Sequence, residues 1–116
     1  MKARLPKGYG GGAANNLQQL ARQAQKMQDE MDAATAELEQ KEYSAASGGN
    51  AVKVTVTGKF EISSIEISPE VVDPEDIDML SDLITAAANE ALRAAIKEKN
   101  DTVERISGGM NVPGLL

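Results

Sequence analysis

The chain has 116 residues, a formal net charge of −6 and a sequence pI of about 4.6. It contains no cysteine and no histidine, which excludes disulfides and thiolate metal sites and removes the commonest metal ligand and general base. With one phenylalanine, two tyrosines and no tryptophan, a single domain of this length has little bulk for a core of its own, so we expect an obligate homodimer.

The distribution of charge is more informative than its sum. Residues 1–28 carry five basic side chains and no acidic one, whereas residues 42–92 carry two lysines against ten acidic residues. Basic residues therefore collect toward the chain ends.

No run of about 18 apolar residues is present to span a bilayer, and no apolar signal core follows the N-terminus. We expect a cytoplasmic protein without a membrane partner.

The first 14 residues are rich in glycine. Gly8, Gly10–Gly12 and Pro6 leave too little apolar surface to offset the entropy of ordering, which predicts a flexible basic arm over residues 1–14. The glycines follow no predicted strand and lack the lysine and hydroxyl pair of a P-loop. We interpret them as a flexible tether and not as a phosphate cradle.

A heptad seam follows Asn15, a residue suited to a helix N-cap. Apolar residues recur there in alternating steps of three and four over three repeats. They are Leu17, Leu20, Ala24, Met27, Met31, Ala34 and Leu38. The pattern predicts a first helix over about 16–41 whose seam packs on another helix, with the methionines as adaptable fillers.

A small antiparallel sheet is predicted after the break at residues 47–50. Valines at 52, 54 and 56 alternate with polar residues, the period of a half-buried strand, and residues 42–46 are a candidate strand before it. Gly58-Lys59 then turns the chain. On the return, Phe60 and Ile62 share one parity while Ile65 and Ile67 share the other.

One extra residue near Ser63-Ser64, a β-bulge, resolves this conflict of parity. It brings three isoleucines onto one face, opposite the three valines. The expected partners are Ile62 with Val56, Ile65 with Val54, and Ile67 with Val52.

A second helix is predicted from near Pro74 to about Arg105. Asp73 suits its N-cap, Pro74 its first position, and the acidic residues that follow complement the helix dipole. The apolar stripe steps by three and four through Ile77, Leu80, Ile84, Ala87, Ala91 and Ala94, and it is widened by Leu83, Ala88 and Ala95. Gly108-Gly109 ends the helix. The fold class is therefore α+β, with a long helix at each end of a three-stranded antiparallel sheet.

The residues offer little catalytic chemistry. An acidic cluster at 70–78 suggests a divalent ion, but its spacing lacks the turn glycine of a calcium loop, and helix capping explains it. Without histidine or cysteine, the hydroxyls and carboxylates form no recognisable catalytic constellation. We expect no metal, no cofactor and no enzymatic activity.

Two basic pairs remain, Arg22 with Lys26 and Arg93 with Lys97, each at a spacing of four that places both side chains on one helix face. Each pair is either an ordinary solvated face or a ridge that meets phosphates. A dimer duplicates every ridge, which favours contact with both sides of a duplex. No helix-turn-helix signature and no aromatic stacking platform is present, so base reading and single-strand binding are disfavoured.

The order of these motifs resembles the YbaB/EbfC family of bacterial nucleoid-associated proteins over about residues 15–116. The resemblance is carried by four pieces of sequence. They are QAQKMQ at 23–28, Gly48-Gly49 before VKVTVTG at 52–58, SPEVVDPED at 68–76 with the helix after it, and Gly108-Gly109-Met110 with Pro113-Gly114. The resemblance implies a small homodimer whose helices project from a central sheet like the arms of a tweezer, and which binds double-stranded DNA and associates with the nucleoid.

Composition, patterning and the resemblance together divide the chain and assign roles to its residues. We expect a flexible basic arm at 1–14, an α-β-β-β-α domain like that of the family at 15–108 and a tail at 109–116. Phosphate contact is assigned by charge to Arg22, Lys26, Arg93 and Lys97, with Lys2, Arg4 and Lys7 as auxiliary contacts. Dimer and helix packing is assigned to Leu20, Met27, Met31, Leu38, Leu80 and Ile84.

An alternative is a coiled-coil protein-interaction or chaperone-like module without DNA binding, because heptad helices around a small sheet also describe such proteins. A module of this kind would expose apolar residues at its helix tips. The tips here carry Arg22, Lys26 and Lys99, which favours the DNA interpretation.

Overall fold

A computed structural model describes residues 7–108, with side chains from Asn15 onward. The predicted α+β fold is confirmed. Its elements are α1 (Lys7–Glu39), β1 (Glu42–Ser47), β2 (Val52–Thr57), β3 (Ile62–Ile67), a 3₁₀ turn (Pro69–Val71) and α2 (Ile77–Ser107). The predicted tail at 109–116 and the first six residues lie outside the described part of the chain.

The first helix begins earlier than predicted, at Lys7 instead of residue 16, and ends at Glu39. The glycine-rich run therefore lies within α1, and Asn15 is an interior residue and not an N-cap. A glycine costs a helix about 1 kcal/mol relative to alanine, which weakens the helix without ending it. The flexibility predicted for residues 1–14 stays a prediction.

The three strands form one antiparallel sheet in the order β1-β2-β3. The predicted bulge is confirmed, because Thr55 pairs with Ser64 and Val56 pairs with Ile62, which leaves Ser63 as the extra residue. The Ser63 hydroxyl donates to the Thr55 carbonyl over 3.2 Å. The predicted pairs Val54–Ile65 and Val52–Ile67 are also present.

The two hairpin turns differ in the residues that take a positive φ. Between β1 and β2 these are Gly48, Gly49 and Asn50, all residue types that tolerate the left-handed region. Between β2 and β3 it is Phe60, with φ 64°. Phe60 is therefore a turn residue and not the first residue of the returning strand.

The core lies between the sheet and α2, which packs across β1 and β2 and leaves β3 largely uncovered. Small helix residues let the backbone approach the sheet closely. The buried set is Val52, Val54 and Val56 from β2 with Ala87, Ala91 and Ala95 from α2. Ala95, which widens the predicted stripe, is buried, whereas Ala94 is exposed and Ile77 at the start of the stripe is 65% exposed. The stripe is thus buried only where α2 lies over the sheet.

The start of α2 differs from the prediction by three residues. The Asp73 side chain accepts from the Glu75 N–H at 2.9 Å, and its carbonyl accepts from the Asp76 N–H at 2.9 Å. These bonds commit Asp73 and Pro74 to a turn. Asp76 becomes the N-cap instead, and its carboxylate accepts from the Met79 N–H at 3.2 Å.

The first helix is fixed only at its C-terminal end. Leu38 is buried and Met31 and Ala34 are half-buried, whereas residues 15–26 are exposed on every side. At roughly 1.5 Å per residue, the part of α1 before Met27 is about 30 Å long. The molecule is accordingly elongated, with extents of 91 × 26 × 17 Å.

Candidate nucleic-acid interface

The predicted basic pair on α1 lies on this projecting segment. Arg22 and Lys26 are both exposed, and neither forms a salt bridge within the described residues. The carboxylates of Asp29 and Asp32 accept hydrogen bonds from glutamine side chains one turn before them, at 2.9 and 2.8 Å. The two cations are therefore exposed to solvent on a segment of α1 in which residues 15–26 are all exposed.

The second basic pair, on α2, is partly neutralised. Arg93 is exposed and has no salt bridge among the described residues, but the Lys97 ammonium lies 2.8 Å from the Asp101 carboxylate. That hydrogen bond and charge raise the pKa of Lys97. Lys97 consequently offers a phosphate less free charge than Arg93 does.

The structure does not bring the two pairs together. Lys41, just after α1, forms a salt bridge with Glu98 of α2, which fixes the alignment of the two helices. Counting from this contact, Lys26 and Arg93 lie in opposite directions and are separated by about 30 Å along the helices. Of the auxiliary residues, Lys2 and Arg4 and the side chain of Lys7 fall outside the described part.

The residues predicted to pack fall into two groups. Leu38 is buried, and Met27, Met31, Leu80 and Ile84 are half-buried. Leu20 is 58% exposed, because α2 ends before the seam of α1 reaches it.

A third group of cations was not predicted. Lys99 of α2 lies over the ring of Phe60, with its ammonium 5.3 Å from the ring centroid, and Lys59 is exposed beside Phe60 in the turn. This contact joins residues that are about 40 positions apart, so the spacing of charges along the sequence gives no sign of it.

A polar cluster fixes the junction of the helices with the sheet. The pKa of Glu98 is lowered, chiefly by its hydrogen bond from Lys41, and that of Lys41 is raised by the same bond. The Tyr43 hydroxyl is buried beside them and has no hydrogen-bond partner among the described residues. Burial raises the pKa of Tyr43 to about 12, and the nearby Glu98 carboxylate adds to the shift.

On the face of the sheet that α2 covers over β1 and β2, the neighbouring strand β3 is left uncovered and carries apolar side chains. Ile62, Ile65 and Ile67 are 49%, 43% and 37% exposed, although they pair with three fully buried valines. Ile96, which precedes Lys99 by three residues and so shares its flank of α2, is 44% exposed. The isoleucines of β3 and Ile96 of α2 are thus large apolar side chains that the fold leaves partly exposed.

The described residues hold no group of three or more carboxylates able to bind a metal ion. No described helix is both long enough and apolar enough to cross a membrane. The chemistry on offer is thus exposed positive charge along an extended molecule, together with one open apolar face.

Comparison with known families and proteins gives a consistent result. The chain matches the YbaB/EbfC DNA-binding family over residues 13–110. It is 52% identical over 110 residues to a nucleoid-associated protein of Alkaliphilus metalliredigens, covering 94% of this chain and 96% of that protein. It is 51% identical over 108 residues to a nucleoid-associated protein of Clostridium acetobutylicum, covering 93% and 94%.

Among solved structures, the fold is similar to that of the uncharacterized protein HP0035 from Helicobacter pylori. The TM-score is 0.59 at 19% sequence identity, with 67% of this chain and 90% of that chain covered. At this identity the likeness concerns the fold alone.

Proposed function

We propose that this chain, which belongs to the YbaB/EbfC DNA-binding family, binds the backbone of double-stranded DNA as a homodimer. The observation that carries the proposal is the pair Arg22 and Lys26, exposed on a helix that projects from the body. The relatives' names, nucleoid-associated proteins, support a place on the nucleoid. Arg93 and Lys97, and the N-terminal Lys2, Arg4 and Lys7, are proposed as further phosphate contacts.

The acidic character of the chain is compatible with this function because of where the acids lie. Asp73, Asp76, Asp78 and Asp82 are at the N-terminal end of α2. The salt bridge of Lys41 with Glu98 holds α1 beside the other end of that helix. A duplex held by α1 is therefore distant from the densest negative charge, and repulsion is screened over about 10 Å at ordinary salt.

The second copy is proposed to cover the open face of the sheet. A monomer would leave the three isoleucines of β3, and Ile96 on the flank of α2, partly exposed to water. Each isoleucine is already about half-buried, so covering the rest of it contributes about 0.6–1.5 kcal/mol. A two-fold axis beside β3 brings two such faces together and directs both α1 helices away from the sheets, in the tweezer arrangement.

The test is a fluorescence anisotropy titration with duplex DNA at salt concentrations from about 50 to 200 mM. Replacing Arg22 and Lys26 by alanine should weaken binding at least tenfold and lower the magnitude of the slope of log affinity against log salt by about 3.6, because two phosphate contacts are lost in each of the two copies. Arg93→Ala should have a larger effect than Lys97→Ala, because Asp101 partly neutralises Lys97.

Lys53→Ala is the control, since Lys53 is an exposed lysine on the opposite face of the sheet, 4.0 Å from Glu66. It should leave both affinity and slope unchanged. A native protein that does not bind duplex DNA at the lowest salt would contradict the proposal.

The chaperone-like alternative keeps one observation in its favour. Leu17 and Leu20 are 68% and 58% exposed on the projecting part of α1, where a client segment would bind. A Leu17→Gln/Leu20→Gln variant separates the two functions. It should retain DNA binding under our proposal, and it should lose suppression of client aggregation if the alternative is correct.

A further inference from the structure

The turn between β2 and β3 carries a group of side chains that the fold itself does not require. We define the hairpin tip as residues 58–61 together with Lys99 of α2. Phe60 is 37% exposed and outside the buried core, and its ring contacts the Lys99 ammonium. Because it contributes so little to the core, its place in the turn needs another explanation.

The backbone of Phe60 is strained. Its φ of 64° lies in the left-handed region, which costs a residue with a side chain roughly 1–2 kcal/mol. The other hairpin meets the same demand with Gly48, Gly49 and Asn50, which adopt it readily. Backbone strain of this kind clusters at functional sites such as ligand-binding positions. At this position the Phe60 ring is partly exposed at the surface.

The tip is held rigidly at the base of α1. The Thr57 N–H donates to the Glu61 carbonyl at 2.8 Å, and the Phe60 N–H donates to the Thr57 carbonyl at 2.9 Å. The Gly58 N–H donates to the Lys41 carbonyl at 3.1 Å, which ties the turn to the end of the first helix. The ring and its lysines therefore occupy a fixed position relative to the projecting helix.

The charge of the tip is positive and available. Lys59 and Lys99 are exposed, and neither forms a salt bridge within residues 15–108. Lys99 is two positions from Lys97 and so faces about 200° away around the helix. The tip is thus a surface distinct from the Arg93–Lys97 ridge, and it lies between that ridge and the Arg22–Lys26 pair along the molecule.

We propose that the hairpin tip is an additional DNA-contact site, in which Lys59 and Lys99 bind phosphates and the Phe60 ring packs into the minor groove. The inference rests on the proposed function. It assigns DNA contact to a surface that belongs to neither the Arg22–Lys26 pair nor the Arg93–Lys97 pair. An apolar side chain between cations is the combination that minor-groove proteins use, the cations on phosphates and the apolar group against sugars and base edges.

The experiment uses the full chain, a duplex DNA probe and the same salt titration. Lys59→Gln and Lys99→Gln should each lower the magnitude of the salt slope by about 1.8, because one phosphate contact is lost in each of the two copies. Phe60→Asn keeps a residue that tolerates positive φ and removes only the ring. It should weaken binding about fivefold or more, as expected when one apolar side chain is no longer buried against the DNA, and leave the salt slope unchanged.

Lys53→Gln is the matched control for charge, and thermal unfolding of Phe60→Asn is the control for folding. Tip variants that behave like Lys53→Gln, while the Arg22/Lys26 variant loses binding, would overturn this inference and leave the proposed function standing. Conversion of Phe60→Asn to a monomer, measured by light scattering, would also overturn it, because the ring would then belong to the interface between copies. A native chain that does not bind DNA would instead contradict the proposed function.

Discussion

Tyr43 is a residue whose properties come from its place in the fold. Its alternating position on β1 directs the hydroxyl toward α2, where burial and the Glu98 carboxylate disfavour the tyrosinate. Sequence patterning predicts that 42–46 is a strand, and this is confirmed. It does not predict the neighbour, because Glu98 lies 55 positions later and meets Tyr43 only through tertiary packing.

We predict that Tyr43 titrates near pH 12 in the folded protein, against about 10 when unfolded. The raised pKa means that its contribution to stability is fully present below pH 10 and is lost as the pH rises toward 12. In a Tyr9→Phe variant, Tyr43 is the only tyrosine, so tyrosinate absorbance reports it alone. A midpoint near 10 in the folded state would contradict a buried hydroxyl.

Tyr43→Phe provides the second arm of this test. The variant cannot form a tyrosinate, so urea unfolding between pH 10 and 12 should show a smaller loss of stability than in the native chain. Equal losses in the two proteins would assign the alkaline transition to other groups, such as Lys41 with its raised pKa.

At the scale of elements, strand register follows from sequence better than helix boundaries do. The parity conflict between Ile62 and Ile65 has one economical solution, a single extra residue, and the structure adopts it at Ser63. The start of α2 was predicted wrongly because Asp73 and Asp76 both suit an N-cap, and the turn that Asp73 closes decides between them. The predicted start of α1 is wrong because glycine lowers helix stability without ending a helix, so α1 continues through Gly8 and Gly10–Gly12 to Lys7.

The contact between the end of α1 and the β2–β3 turn requires a residue without a side chain at Gly58. A methyl group at Gly58 would overlap the Leu38 carbonyl oxygen of the last helical turn, so Gly58→Ala must separate the two elements. We predict a loss of about 2–3 kcal/mol in the free energy of unfolding, the cost of overpacking, measured by urea titration.

Gly49→Ala is the control for this substitution. It has no atom within 4 Å of the added carbon but a φ of +64°, so it should cost only about 1–2 kcal/mol, from backbone strain alone. If the two variants lost equal stability, the Gly58 contact would not determine how α1 is seated. A selective loss at Gly58 should also weaken DNA binding, since the angle of α1 places Arg22 and Lys26.

On the scale of the whole molecule, the sequence predicts where charge is located along the chain but not where it lies in space. The spacing of Arg22 and Lys26 predicts a ridge, and the two residues are exposed together. The Lys97–Asp101 salt bridge and the Lys99–Phe60 contact alter the pattern in ways that only the packed structure reveals. The open face of β3 was likewise hidden, because alternation predicts one buried face without saying how far α2 covers it.

This open face supplies the last prediction, that Ile65→Lys prevents dimer formation. Ile65 lies in the middle of the exposed isoleucines, and a lysine there would put a charge into a desolvated interface, which costs several kcal/mol. Ser64→Lys is the matched control, because it introduces the same residue one position earlier on the opposite face of the strand. Light scattering should give a monomer for the first variant and a dimer for the second.

The same pair of variants links assembly to DNA binding. A monomer presents half of the phosphate-binding residues, so the salt slope of Ile65→Lys should be about half that of Ser64→Lys, with correspondingly weaker binding. Far-ultraviolet circular dichroism checks that both variants keep their helices. If Ile65→Lys remained a dimer with a native slope, the second copy would have to bind elsewhere, and the exposed seam of α1 at Leu17 and Leu20 would be the next surface to test.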